Sequence, residues 1–325
     1  MAADDRSRTR DLLEFIPAWL LLKVLGSLPR TAALLAGKVI ARATFHVHPK
    51  LRKAGDRNLE LAFPELSPDC RRELLLAVFD NLGRLLGEFS HFPKLAKNPI
   101  EQIVVYEGLD NYERAAARKR GVLLLTGHFG SWELCAFAQG RYGRPLSFLV
   151  RPLDNPLLDK LINTYRELSG NKVIDKNRAV RPVLETLKRS GDVGMLIDAN
   201  TLPEEGLFCD FFGIPASSTT GLAVFALRTA APVVPGFLIY DAASRVHRLI
   251  FEPEIPLVRT GDFREDVRVN TARFTKAIEE SARRYPAQWL WVHKRWKTRP
   301  EGEPDLYAPQ ETARDLSSSR RGATA

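Results

Sequence analysis

The stretch from Gly121 to Glu133 constrains this chain most: Gly121, Val122, Leu123, Leu124, Leu125 and Thr126, then Gly127, His128, Phe129, Gly130, Ser131, Trp132 and Glu133. It reads as a buried strand, a tight turn and a helix start, with an imidazole and a carboxylate at the turn. On one continuous helix, the five-residue step from His128 to Glu133 would turn about 140° beyond a full revolution, and the two side chains would point apart. His128 is therefore expected in the turn and Glu133 on the first or second helical turn. Gly127 and Gly130 admit positive φ and close approach of a substrate, and the helix N-terminus offers free N–H donors.

Pairing a histidine with a carboxylate is how proteins build a general base for an alcohol, because the carboxylate fixes the tautomer and stabilises the imidazolium that forms. Acyl or phosphoryl transfer to a hydroxyl is the first functional expectation. The plainer alternative is a strand-to-helix turn whose histidine caps a backbone group, and the local residues leave both open.

Around this unit the pattern alternates. Helices are predicted over 50–63, 68–91, 109–119, 132–140, 154–169, 178–189, 217–229 and 265–285, and strands over 121–126, 146–150, 192–197, 207–211, 232–240 and 247–253. This predicts an α/β fold with a mostly parallel central sheet flanked by helices, and a late antiparallel hairpin around Asp241–Ser244. Residues 1–46 are read as a membrane-associated helical segment and 47–299 as the catalytic domain. Residues 300–325, poor in apolar residues, are expected to be a disordered tail.

From Leu12 to Leu28 the chain is apolar except for Glu14 and Lys23, and a second apolar stretch runs from Ala32 to Phe45. The uncharged run is too short to span a bilayer, which needs about 20 apolar residues. Asp4 and Asp5 spoil the basic start of a signal peptide. A helix lying in the membrane interface is expected, with Trp19 at headgroup depth and Arg6, Arg8, Arg10, Lys23 and Arg30 near anionic phosphates. An ordinary amphipathic helix packed on its own domain and a tilted span with Lys23 snorkelling are the alternatives.

With 325 residues and 45% hydrophobic content the chain can bury a large core, and its formal charge of +9 favours an acidic partner such as nucleic acid, anionic lipid or an acidic carrier protein. There is no zinc-finger spacing, and the aromatic residues sit within apolar segments, so nucleic acid is set aside. Cys70, Cys135 and Cys209 are odd in number and far apart, which suggests neither a disulfide framework nor a metal site, and fits a reducing compartment.

The segment His128–Glu133 resembles the His-x4-Glu/Asp motif of the glycerolipid and lysophospholipid acyltransferase superfamily, and more narrowly the late acyltransferases of lipid A biosynthesis. The same resemblance runs through Arg57-Asn58-Leu59 with Phe63-Pro64-Glu65, then Arg151–Pro156, Phe211–Ala216 and Gln288–Lys297, in order and spacing across roughly residues 12 to 300. One departure stands out: Asp198-Ala199 replaces the usual Asp-Gln, so one side-chain contact is missing. The resemblance implies transfer of a fatty acyl chain from acyl carrier protein to a hydroxyl of a lipid A precursor, an anionic membrane lipid, on the cytoplasmic face of the cell inner membrane. Another glycolipid or a lysophospholipid as acceptor, or a membrane-binding protein of the same fold without catalysis, are the alternatives.

Further candidates follow. Asp198 ends the strand Gly194–Ile197, and an acidic residue at the corresponding motif of the wider superfamily supports the active site, so Glu133 and Asp198 both stand as partners of His128. Arg151 projects from a strand end, where ligands of open α/β sheets bind. It is placed either to hold a phosphate or orient the donor's phosphopantetheine, or merely to pair with a surface carboxylate. Ser217–Gly221 reads as a helix N-cap, with Thr219 and Thr220 as substrate-binding candidates through their hydroxyls. His293–Lys297, interleaved with Trp289, Trp291 and Trp296, has the composition of a membrane-interface surface. Direct attack is expected, with His128 as base and turn amides holding the oxyanion. It needs no cofactor, metal or Ser/Cys nucleophile, and no Gly-x-Ser-x-Gly elbow is present.

Overall fold

A computed structural model describes residues 7–308. Four helices come first: α1 (Arg8–Ser27), α2 (Arg30–Val47), α3 (Pro49–Ala62) and α4 (Pro68–Ser90), followed by the single turn α5 (Phe92–Leu95). The starts of α1 and α4 are set by Ser7 and Ser67, whose hydroxyls accept from the backbone N–H groups of Arg10 and Cys70. The α/β body follows, with strands β1 (Val104–Glu107), β2 (Leu123–Thr126), β3 (Leu146–Val150), β4 (Lys172–Asp175), β5 (Asp192–Leu196), β6 (Gly206–Phe211), β7 (Ile214–Thr219), β8 (Val233–Asp241) and β9 (Val246–Phe251). Its helices are α6 (Leu109–Ala116), α7 (Trp132–Arg141), α8 (Pro156–Glu167), α9 (Val180–Lys188), α10 (Gly221–Thr229) and α11 (Phe263–Arg284).

Seven strands form one sheet in the order β1-β9-β8-β2-β5-β3-β4. All neighbours pair in parallel except β8 and β9, the antiparallel hairpin that the Asp241–Ser244 turn predicts. β2 lies at the centre, and its Leu123–Leu125 run is apolar because both its faces are covered: Leu123 and Leu125 join the core under α10 and α11, while Leu124 joins the core under α6 and α7. The expected α/β architecture is therefore present, and the separate hairpin β6–β7 is added to it.

Three strands escaped the sequence reading. β1 and β4 are four-residue strands ending in an acidic residue, too short to show a period. β7 includes Ser217 and Ser218, which were expected to cap a helix; they pair instead with Phe208 and Leu207, and the helix begins at Gly221. Of the expected tail, Leu306 and Tyr307 pack on the body: the Tyr307 hydroxyl donates to Asn58 Oδ1 (2.5 Å) and Arg57 Nε donates to the Leu306 carbonyl (2.8 Å). Residues 309–325, like Arg6, Asp4 and Asp5, lie outside the described residues.

Among the described residues no helix is long and apolar enough to cross a membrane. α1 packs on α4 and α8, and the Asn155 side chain ties it down by donating to the Asp11 carbonyl and to Glu14. Its outer side leaves Leu13, Ile16, Trp19, Leu20 and Val24 exposed, and α2 adds Leu35 and Val39. Arg30, expected near lipid phosphate, is turned inward, forming an ion pair with the fully buried Glu88, which also accepts from His247 Nε2 (2.8 Å).

Candidate active site

Parallel pairing decides which carboxylate meets His128. Thr126 of β2 is in register with Leu196 of β5, so the two chains leave the sheet side by side, and His128 and Asp198 each stand two residues further on. His128 Nδ1 lies 2.8 Å from Asp198 Oδ1, while the His128 backbone N–H donates to Asp198 Oδ2 (2.7 Å). The Trp289 indole Nε1–H also donates to Oδ2 (2.8 Å). With Nδ1 facing an ionised carboxylate, the imidazole carries its proton there and presents the Nε2 lone pair elsewhere.

The turn has no room for side chains at its glycines. A Cβ on Gly127 would lie 2.8 Å from Asp198 Oδ2, and Gly130, at φ 52°, would drive one into the Leu238 carbonyl. Its amides are also taken. Those of His128, Phe129 and Gly130 donate to Asp198, to the Gly127 carbonyl and to the Gln288 carbonyl. The expectation that turn amides hold an oxyanion is corrected for these three, leaving the first amides of α7.

Electrostatics follow from burial and these partners. Burial pushes the His128 pKa down, but the charge and hydrogen bond of Asp198, helped by Glu133, outweigh it and hold the pKa above its usual value. Asp198, also penalised by burial, is pulled down to about 2 by His128 and the indole. Glu133, the other sequence candidate, lies in the first turn of α7 and does not touch His128. It forms a two-pronged pair with Arg166 of α8 (2.9 and 2.6 Å).

His128 opens on a cavity of about 910 Å³. Between α7 and the sheet it runs from the strand ends at Thr126, Val150 and Leu196 down to Leu124, Leu146 and Gly194. Along β3 the four steps from Val150 to Leu146 span about 13 Å. That inner part is mostly apolar, with the buried amide of Gln139 of α7 also in its wall, whereas the mouth carries Arg151, Lys176, Asn200, Glu205 and His293. Cys135 is in the wall, where burial pushes its thiol up to about 12, which leaves it protonated and unfit as a nucleophile.

The remaining candidates divide. Arg151 ends β3 and lines the cavity, but its side chain is 74% exposed and sits 3.4 Å from Asp154, the surface pairing that the sequence left open. Thr219 lines the cavity at the end of β7; its hydroxyl accepts from the Gly221 N–H at 3.4 Å, and Thr220, the N-cap of α10, makes no side-chain cap bond.

The aromatic-basic segment near residue 290 is corrected most. Trp289, Trp291, Trp296 and Arg295 are buried, not a membrane-facing surface. Arg295 donates to the Ser217 carbonyl and the Ser218 hydroxyl (both 2.5 Å) and lies over the Phe211 ring, and burial lowers its pKa to about 10. Trp289, Arg166 and His293 are the site neighbours that sequence reasoning missed. The Trp289 signal was its place in the resembling segment, which was assigned to the wrong surface.

Fold and site define an α/β protein with a histidine–aspartate pair at the mouth of a deep apolar cavity, suited to a polar group carrying a long apolar chain. Residues 5–298 match the family of bacterial lipid A biosynthesis acyltransferases. The chain is 31% identical over 255 residues to the lipid A biosynthesis lauroyltransferase of Escherichia coli, covering 77% of this chain and 80% of that one. It is 30% identical over 252 residues to the palmitoleoyltransferase of the same organism, with the same coverage, and 24% identical over 295 residues to its myristoyltransferase, covering 89% and 90%. The chain belongs to the bacterial lipid A biosynthesis acyltransferase family and is an acyltransferase.

Proposed function

We propose that the protein moves a fatty acyl chain from the thioester of acyl carrier protein to a hydroxyl of a lipid A precursor, with His128 as general base and Asp198 as its orienting partner. The observation that carries this reading is the His128–Asp198 bond at the mouth of the apolar cavity, which leaves Nε2 as the acceptor for a hydroxyl proton. The acyl chain lies between α7 and the sheet, and the polar ends of both substrates meet at the strand ends. Arg151 and Lys176 at the rim, together with the net charge of +9, attract an acidic carrier and an anionic lipid. Thr219 offers a hydroxyl to the substrate there; Thr220 adjoins it. Glu133, held by Arg166, adds negative charge near the imidazolium.

The exposed apolar stripe of α1 and α2 is the part of residues 1–46 that lies in the membrane interface, on the cytoplasmic face of the inner membrane where the carrier is found. Residues 47–299 supply the catalytic body. Purified protein, acyl carrier protein loaded with a fatty acid and a lipid A precursor test the reading: His128→Ala should lower transfer by ~10²- to 10⁴-fold while leaving the circular dichroism spectrum unchanged. Transfer by His128→Ala above a tenth of wild type sinks the base assignment.

A further inference from the structure

Addition of a hydroxyl to a thioester places negative charge on the carbonyl oxygen, and donors set in advance toward that oxygen stabilise it. Three turn amides beside His128 are already bonded within the protein. His293 lines the mouth of the same cavity as an exposed residue, and one backbone amide holds its ring. The Asn200 backbone N–H donates to His293 Nε2 at 3.0 Å, so that nitrogen bears the lone pair and the neutral ring carries its proton on Nδ1. Asn200 itself is clamped, donating from Nδ2 to the Thr298 hydroxyl (3.0 Å) and accepting the Thr298 N–H (2.9 Å). The buried Asn58 amide donates to the carbonyls of Trp291 (2.5 Å) and His293 (2.7 Å), and Tyr307 fixes Asn58. Among the described residues Nδ1 has no hydrogen-bond partner.

We propose that His293 is a second catalytic histidine, a neutral donor whose Nδ1–H binds the acyl carbonyl oxygen and the oxyanion it becomes. This rests on the acyl-transfer reading of the cavity. In the step, the acceptor oxygen bonds to the carbonyl carbon as His128 Nε2 takes its proton. The carbonyl electron pair moves to the oxygen, where His293 Nδ1–H holds it. The pair then returns, the C–S bond breaks, and the departing thiolate takes the proton from His128. Desolvation and the charges of Arg295 and Lys297, joined by His128 once it has taken a proton, lower the His293 pKa against the pull of Asp198, in keeping with a ring that stays neutral. The two histidines thus divide the work: Asp198 makes one a base, and the Asn200 amide makes the other a donor.

Two substitutions separate a donor from a structural ring. The Asn side-chain amide places an N–H near the position of imidazole Nδ1, whereas Leu fills the space without one. In steady-state transfer from acyl carrier protein to a lipid A precursor, His293→Leu should lower kcat about 10²- to 10³-fold with little change in the donor KM. His293→Asn should recover at least about tenfold of that loss. The proposal is overturned if Asn falls as far as Leu, if Leu changes only KM, or if Leu keeps wild-type kcat. Melting temperatures identify a Leu variant that is merely unfolded, and the Asn variant then decides alone. Full activity of His128→Ala in the same assay would instead remove the reading on which the proposal rests.

Discussion

His128 and Asp198 stand at the same level, two residues beyond the ends of adjacent parallel strands, 70 residues apart in sequence and 2.8 Å apart between Nδ1 and Oδ1. The pair is a product of register: moving β5 along β2 by one residue would turn the Asp198 side chain to the other face and leave His128 without a carboxylate.

The first prediction uses the direction of the His128 pKa. The proposed base role needs an unprotonated Nε2, and Asp198 holds the pKa above the usual value of about 6.5. The acid limb of kcat/KM should therefore fall above that value, with activity rising as pH increases through it. Asp198→Asn removes the charge, so the limb should move to lower pH while the plateau falls by ~10²-fold or more. A limb that stays in place in Asp198→Asn assigns it to another group.

Gly194 predicts how the cavity measures a chain. A Cβ there would meet Leu146 Cδ1 at 3.4 Å and Phe148 Cβ at 3.7 Å, ordinary contacts that the fold accepts. Gly194→Ala should fold normally and make the apolar part narrower. Discrimination against the longest acyl donors should then grow, by about 10-fold for each methylene excluded. Competition between two saturated donors of different length reads this directly, and an unchanged ratio places the chain elsewhere.

The exposed stripe on α1 gives a membrane prediction. Leu13, Ile16 and Leu20 follow one another at helical spacing on the outer side. Each large apolar side chain moved out of water contributes about 1.5–3 kcal/mol. Replacing all three by Ser should cut cosedimentation with anionic vesicles by at least 100-fold in partition constant, while transfer to a detergent-dispersed acceptor is retained. Equal cosedimentation of the two proteins assigns α1 to another partner.

Acid sensitivity follows from Glu88 and His247. Burial raises the Glu88 pKa, but His247 and Arg30 outweigh it and bring it to about 2, whereas burial keeps the His247 pKa below its usual value. In the unfolded chain both groups bind protons at higher pH, so folding stability should rise with pH over these windows and be lost on acidification. His247 contributes below about 6.5 and Glu88 below about 4.3, down to its folded value. Urea unfolding across pH 3 to 7 should show a shallower slope for Glu88→Gln than for wild type, and equal slopes would place the sensitivity elsewhere.

Much of this was legible in the sequence wherever one element carried its own signal. The Leu123–Leu125 run, the Gly-flanked His128 and the long helices announce themselves by apolar periodicity and capping residues. What failed was relational. Asp198 and Glu133 are equivalent candidates until the strand order β8-β2-β5-β3 puts one beside His128 and α8 offers Arg166 to the other. Three tryptophans among cations look like a membrane surface. They are buried, and the Arg295 among them meets the Ser217 carbonyl and Ser218 hydroxyl on β7, the strand whose end reads as a helix cap in the sequence.

Asp198 is bonded at once to the turn after β2 and to the indole of Trp289, near the end of the matched region. A chain growing from its N-terminus has His128 and Asp198 in hand long before Trp289 and His293 exist. The sheet can assemble around β2 and β5, yet the carboxylate lacks its indole donor and the turn lacks the Gln288 carbonyl until the last segment arrives. On the proposed role of His128, a nascent chain stalled before residue 289 would carry the fold's centre without a finished base, so competence would come late in synthesis.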